Sequence, residues 1–125
     1  LPDAAGQVIS STTFIGQVTL GDFWAAWCQP CRQKHPALLA LKAQYNKANF
    51  DLVSISIDTN QDKWRKAIAA DGLNWTNLLD LNKTVYNELG IVAIPFNYLI
   101  DEQGIIVGVN LSVEQVHNYL KELDG

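Results

Sequence analysis

An α/β fold, with a mixed β-sheet carrying helices on both faces, is predicted by three observations. Segments rich in β-branched and aromatic residues recur at 17–25, 52–57, 96–100 and 105–109. Stretches with apolar residues at helical spacing lie between and after them. Gly, Asn and Ser stand where those stretches should start and stop. The resulting order, β-α-β-α-β-β-α, is that of a layered sheet. At 125 residues, 48% of them hydrophobic, the chain is expected to be one domain over 1–125 with a proper core.

In chain order, residues 1–13 are mostly polar, and Ala5-Gly6-Gln7 reads as a turn between two short extended pieces that would cover a sheet edge. The 17–25 stretch reads as a buried strand. A helix is expected over 29–46, kinked at Pro36, whose ring removes a hydrogen bond and clashes with the preceding turn. Residues 52–57 mark a second central strand, ended by Asp58. Thr59-Asn60 offers an N-cap for a helix through Trp64, Ile68 and Ala69, closed by Gly72. Residues 73–81 can add a short strand, and 83–89 a short helix ended by Gly90. The turn Asp101-Glu102-Gln103-Gly104 joins two strands as a hairpin. Ser112-x-x-Gln115 is a capping box for a last helix carrying Val116, Tyr119, Leu120 and Leu123.

The only two cysteines, Cys28 and Cys31, lie where the first strand hands over to the first helix. A thiol at a helix N-terminus faces unpaired N–H groups and the positive end of the macrodipole, which favour thiolate. Cys28 is therefore the expected nucleophile and the more exposed thiol. Cys31, about one turn further on the same face and within disulfide reach, is the expected deeper, resolving thiol. Pro30 suits the first helical turn and stiffens the dithiol loop. The alternative is two buried, inert cysteines. Asp22, inside a strand that otherwise reads as buried, is too costly there to be casual, unless the strand exposes it at an edge. Arg32, Lys34 and His35 read as a solvated helix face, His117 as a surface residue, and Trp64 and Trp75 as packing.

Residues 22–31 (DFWAAWCQPC), followed by a helix with Pro36, resemble the active site of the thioredoxin superfamily. Leu1-Pro2-Asp3, Ile15-Gly16-Gln17-Val18, the SISID stretch at 54–58 and IPFNYLIDEQGIIVG at 94–108 extend the likeness over nearly the whole chain. With them it is similar to TlpA/ResA-like thiol-disulfide oxidoreductases rather than to plain thioredoxin. The resemblance implies a thioredoxin-like three-layer α/β/α sandwich with a mixed central sheet and a short N-terminal hairpin. It also implies that Asp22 lies behind the dithiol and takes the proton of Cys31, with a pKa raised by desolvation. By the same likeness the Ile94–Pro95 bond is cis and faces the dithiol, exposing the Ile94 backbone to a substrate segment. Trp27, Gln29, Pro30, Ile94 and Pro95 would then line the substrate groove, with Trp24 and Trp27 as walls. Two positions depart from the commoner pattern: Phe96 follows the proline in place of Thr or Ser, and Lys34 stands where ResA-like members carry Glu.

The implied reaction is reduction or exchange of protein disulfides through a mixed disulfide on Cys28, released by Cys31. Partners would be a disulfide-containing protein substrate and an upstream thiol electron donor, with no cofactor and no metal. A formal charge of −4 argues against nucleic acid and an anionic membrane surface. With no methionine and no membrane-length apolar run, Leu1 is read as a processed or truncated end. An export signal, membrane anchor or preceding domain would have been removed, so membrane contact is expected only through such an anchor. The resemblance implies the periplasm or envelope of a bacterium, with the cytoplasm as the alternative. A thiol peroxidase is a second reading, but the Pro-x-x-x-Thr-x-x-Cys signature is missing before either cysteine. A copper- or other metal-handling protein is a third: Cys28, Cys31 and His35 offer three ligands without an evident fourth, and Arg32 excludes covalent haem attachment.

Overall fold

A computed structural model describes residues 1–9, 16–45 and 49–124. Its strands are β1 (Val18–Trp24), β2 (Phe50–Ser56), β3 (Thr76–Leu79), β4 (Phe96–Ile100) and β5 (Ile106–Val109). Its helices are α1 (Gln29–Gln33), α2 (His35–Gln44), α3 (Gln61–Asp71), α4 (Thr84–Glu88) and α5 (Val113–Asp124). The sheet order is β3-β2-β1-β4-β5. β1 runs parallel to β2 and antiparallel to β4, so the sheet is mixed. Every residue of β1 is buried, as a middle strand covered on both faces requires. An edge position for Asp22 is thereby overturned.

Side-chain alternation along β1 separates the two faces. Asp22 points toward His35 of α2, whereas Phe23 meets Tyr86 of α4 edge-on from the other side. α3 lies beside α1 and α2, joined to them by an Arg32–Asp71 ion pair of 2.7 Å, and α5 reaches α2 through Tyr45 and His117. Three layers result, with α1, α2, α3 and α5 on one face and α4 on the other. Trp24, Trp64, Leu20, Leu52, Leu99 and Val116 are among the most buried side chains.

The local signals act where expected. The Asn60 side chain accepts the Lys63 N–H at 3.0 Å, and Gly72 closes α3 at φ 65°, where a Cβ would be strained. The Ser112 and Gln115 side chains cap each other's backbone N–H at 3.1 and 2.8 Å. Pro2 and Val8 form a bridge of the N-terminal hairpin, and Asp3 pairs with Leu78, covering the β3 edge; expectations over 10–15 and 46–48 lie outside the described residues. The long first helix is in fact two, broken at Lys34 with Pro36 in the first turn of α2. Three expectations need correction. Trp24, expected with Trp27 as a wall of the groove, is fully buried in the core. His117 is half-buried against the Tyr45 ring rather than a free surface residue. His35, expected on a solvated face, is 1% exposed.

Candidate active site

The strand-to-helix turn builds the dithiol. Cys28 N–H donates to the Ala25 carbonyl at 3.0 Å, and Cys28 becomes the N-cap of α1, its Sγ accepting the Cys31 N–H at 3.3 Å. The two sulfurs are joined as a disulfide, with Cα atoms 5.3 Å apart. Both cysteines are nearly enclosed, Cys28 at 5% and Cys31 at 2% exposure, which is the expected order by a narrow margin. Trp27, Gln29 and Pro30 are exposed around them. A second buried carboxylate fixes the approach to the motif. Asp58, just past β2, accepts the Ala26 N–H with both oxygens at 2.9 and 3.1 Å and the Ser56 hydroxyl at 2.5 Å.

The Ile94–Pro95 peptide is cis, and Ile94 and Pro95 are half-buried. Phe23 pairs with Phe96 across β1 and β4, so continuing that antiparallel register sets Pro95 beside Trp24, at the end of β1 that leads into the dithiol. Phe96 meets Tyr98 edge-on, and its pairing with Phe23 puts both rings on the α4 face of the sheet.

Asp22 sits between Ser54 of β2 and Asn97 of β4 and is 3% exposed. Its Oδ2 has no hydrogen-bond partner. Burial pushes its pKa up to about 7, with the Lys34 charge and the Ser54 hydroxyl opposing. At neutral pH this carboxyl is poised between acid and base.

His35, Arg32 and Asp71 form a linked group. The His35 Nδ1 lies 2.7 Å from Asp71 Oδ2, and Arg32 donates to both Asp71 oxygens, at 2.9 and 2.7 Å, and to the Ala26 carbonyl at 3.2 Å. The His35 ring packs edge-on to Trp24 at 4.9 Å. Arg32 holds the Asp71 carboxyl below the usual carboxylate range, and burial pushes His35 below the ordinary imidazole value. Asp71 carried no signal in the sequence, because its partners Arg32 and His35 are 39 and 36 residues away, and Asp58 was visible only as the end of a strand, its bond to Ala26 spanning 32 residues. For His35 there was one: Cys31, His35 and Leu38 recur at i, i+4 and i+7, the spacing of a buried stripe. With both ring nitrogens turned toward carboxylates, His35 does not complete a metal site with the cysteines.

Comparison with known proteins agrees with this geometry. The Redoxin family model matches residues 1–123. Thiol-disulfide oxidoreductase ResA of Geobacillus thermodenitrificans is 25% identical over 98% of this chain and 72% of its own length. A thiol-disulfide oxidoreductase from Bacteroides fragilis superposes with a TM-score of 0.89 at 31% identity, covering 98% of this chain and 94% of that one. The thioredoxin domain of a thiol-disulfide oxidoreductase from Bacteroides vulgatus gives a TM-score of 0.91 at 29% identity, covering 99% and 91%.

Proposed function

The chain belongs to the Redoxin family, within the thioredoxin superfamily, and on that premise we propose that it reduces or exchanges disulfides in exported protein substrates. The observation that carries this reading is the Cys28–Cys31 disulfide at the N-terminus of α1, with one sulfur capping the helix and the other one turn deeper. Thiol-disulfide exchange at that pair is the chemistry of its relatives; the residue roles, substrate class and location are the proposal.

In the reduced protein, the Cys28 thiolate attacks a substrate disulfide. One substrate sulfur leaves as thiolate and takes a proton from solvent, while the other stays bonded to Cys28. Cys31 then loses its proton to the Asp22 carboxylate and attacks Cys28 Sγ, expelling the second substrate thiol. Two electrons pass to the substrate, and the protein is left with the disulfide seen here. Low dielectric around Asp22 keeps its proton affinity high enough to act as this acceptor near neutral pH. Trp27, Gln29 and Pro30 form the exposed rim, and Ile94 and Pro95 offer extended backbone to the substrate segment. An upstream thiol donor recharges the pair, and residues 1–125 act as a single domain outside the cytoplasm.

A Cys31→Ser variant mixed with a disulfide-bonded protein tests the reading. Mass spectrometry should find a covalent adduct through Cys28 that a reductant reverses. Absence of that adduct, or an equal adduct through Cys31 in Cys28→Ser, would remove the assigned roles.

A further inference from the structure

Two buried polar atoms face each other without partners: Asp22 Oδ2 and His35 Nε2, 3.9 Å apart. That gap is about 1 Å longer than a hydrogen bond, a distance a modest side-chain rotation closes. The opposite ring nitrogen is committed, since Nδ1 lies 2.7 Å from Asp71, whose second oxygen and charge are taken by Arg32. An ionised Asp71 accepts only, so Nδ1 carries the proton and donates it there. In neutral His35 the Nε2 lone pair is then aimed at Asp22. We infer that His35, oriented by Asp71 and Arg32, is the proton partner of Asp22 and sets whether that carboxyl is free to accept the proton of Cys31.

The step balances as a proton transfer. The Asp22 O–H bond breaks and an N–H bond forms at Nε2, leaving a carboxylate and an imidazolium compensated by Asp71. Cys31 then gives its thiol proton to the freed carboxylate. As the substrate thiolate departs it takes up the proton that Asp22 received from Cys31, and Asp22 recovers its own from Nε2, so Nδ1 keeps its proton toward Asp71 throughout. No electrons move in the relay. The charged groups facing this pair are Lys34 at the junction of α1 and α2, Arg32 of α1, and Asp71 of α3. β2 and β4 present Ser54 and Asn97, and His117 of α5 faces Tyr45 instead. Burial pushes Asp22 up to about 7 and His35 below its ordinary value, which favours the neutral form of both, with the proton on Asp22 and Nε2 open to receive it.

This role is that of a positioning residue and rests on Asp22 being the acceptor for Cys31. The test follows single-turnover release of a trapped mixed disulfide against pH in wild type, His35→Phe, Asp71→Asn, Asp22→Asn and the Asp22→Asn/His35→Phe double variant. His35→Phe keeps a ring against Trp24 and removes both nitrogens. It should raise the midpoint of the base limb by about one pH unit or more, because Asp22 loses the buried basic group beside it. Asp71→Asn, at a partly exposed position, should shift it the same way by less. The double variant should be no slower than Asp22→Asn alone. If His35→Phe and Asp71→Asn lower the rate equally at every pH, or add fully to Asp22→Asn, the relay is wrong while the acceptor role stands. If Asp22→Asn alone changes nothing, the acceptor role and the relay fall together.

Discussion

Asp22, within β1, and Asp58, just past β2, are both buried aspartates, and they are satisfied in opposite ways. Asp58 lies past the end of β2, where the chain turns and backbone donors are free; it accepts the Ala26 N–H and the Ser56 hydroxyl. Asp22 lies in mid-strand, where the neighbouring backbone groups already serve the sheet, and its Oδ2 has no donor. Burial is equal to within a percentage point, 3% against 2%. The two therefore differ in donor supply and not in burial, and at Asp22, where Oδ2 lacks a donor, low dielectric raises the pKa because the charged form is poorly solvated.

Removing each carboxyl should have opposite effects on stability, and the larger belongs to Asp58. Asp58→Ala strands the Ala26 N–H and the Ser56 hydroxyl, and each buried unsatisfied group costs about 1–3 kcal/mol. Urea denaturation should show a loss on the order of 2–4 kcal/mol. A loss below about 0.5 kcal/mol, the size of an ordinary surface substitution, would mean that Asp58 does not hold the loop.

For Asp22 the effect depends on pH. Below about pH 4 the carboxyl is protonated in both folded and unfolded chains. From there to about 7 the unfolded chain has lost the proton and the folded one keeps it, so this group's contribution to stability falls as pH rises and then levels. Asp22→Asn abolishes that decline. Relative to wild type, the variant should gain up to about 1.4 kcal/mol per pH unit across the window. Parallel stability curves from pH 4 to 7 would show that Asp22 has an ordinary pKa and that its missing donor has no electrostatic consequence.

Much of this contrast was legible in the sequence, and what was not has a physical cause. A charged residue inside the apolar run around Asp22 was visible because strand burial is a local pattern. Helix caps at Asn60, Gly72 and Ser112 were visible for the same reason, being set within a few residues. Arg32-Gln33-Lys34-His35 read as a solvated face because three of its four residues carry basic side chains. The helix breaks at Lys34 and restarts, and its new first residue, His35, turns inward beneath Trp24. The acid that makes this burial tolerable, Asp71, ends a helix 36 residues later, and only the folded chain brings the two together. Cys28 and Cys31 were legible as a pair, yet their near-equal enclosure was not, because it depends on the packing around the turn.

Single-turnover release of a substrate held as a mixed disulfide on Cys28, followed in wild type and Asp22→Asn from pH 6 to 10, tests most directly whether the donor-poor carboxyl is the working one. Near neutral pH the variant should be about ten- to a hundredfold slower, at the low end of general-base effects, and should recover at high pH as Cys31 ionises unaided. Equal rates and an equal pH profile in the two proteins would contradict the account and leave the two cysteines and their helix as the whole catalytic site.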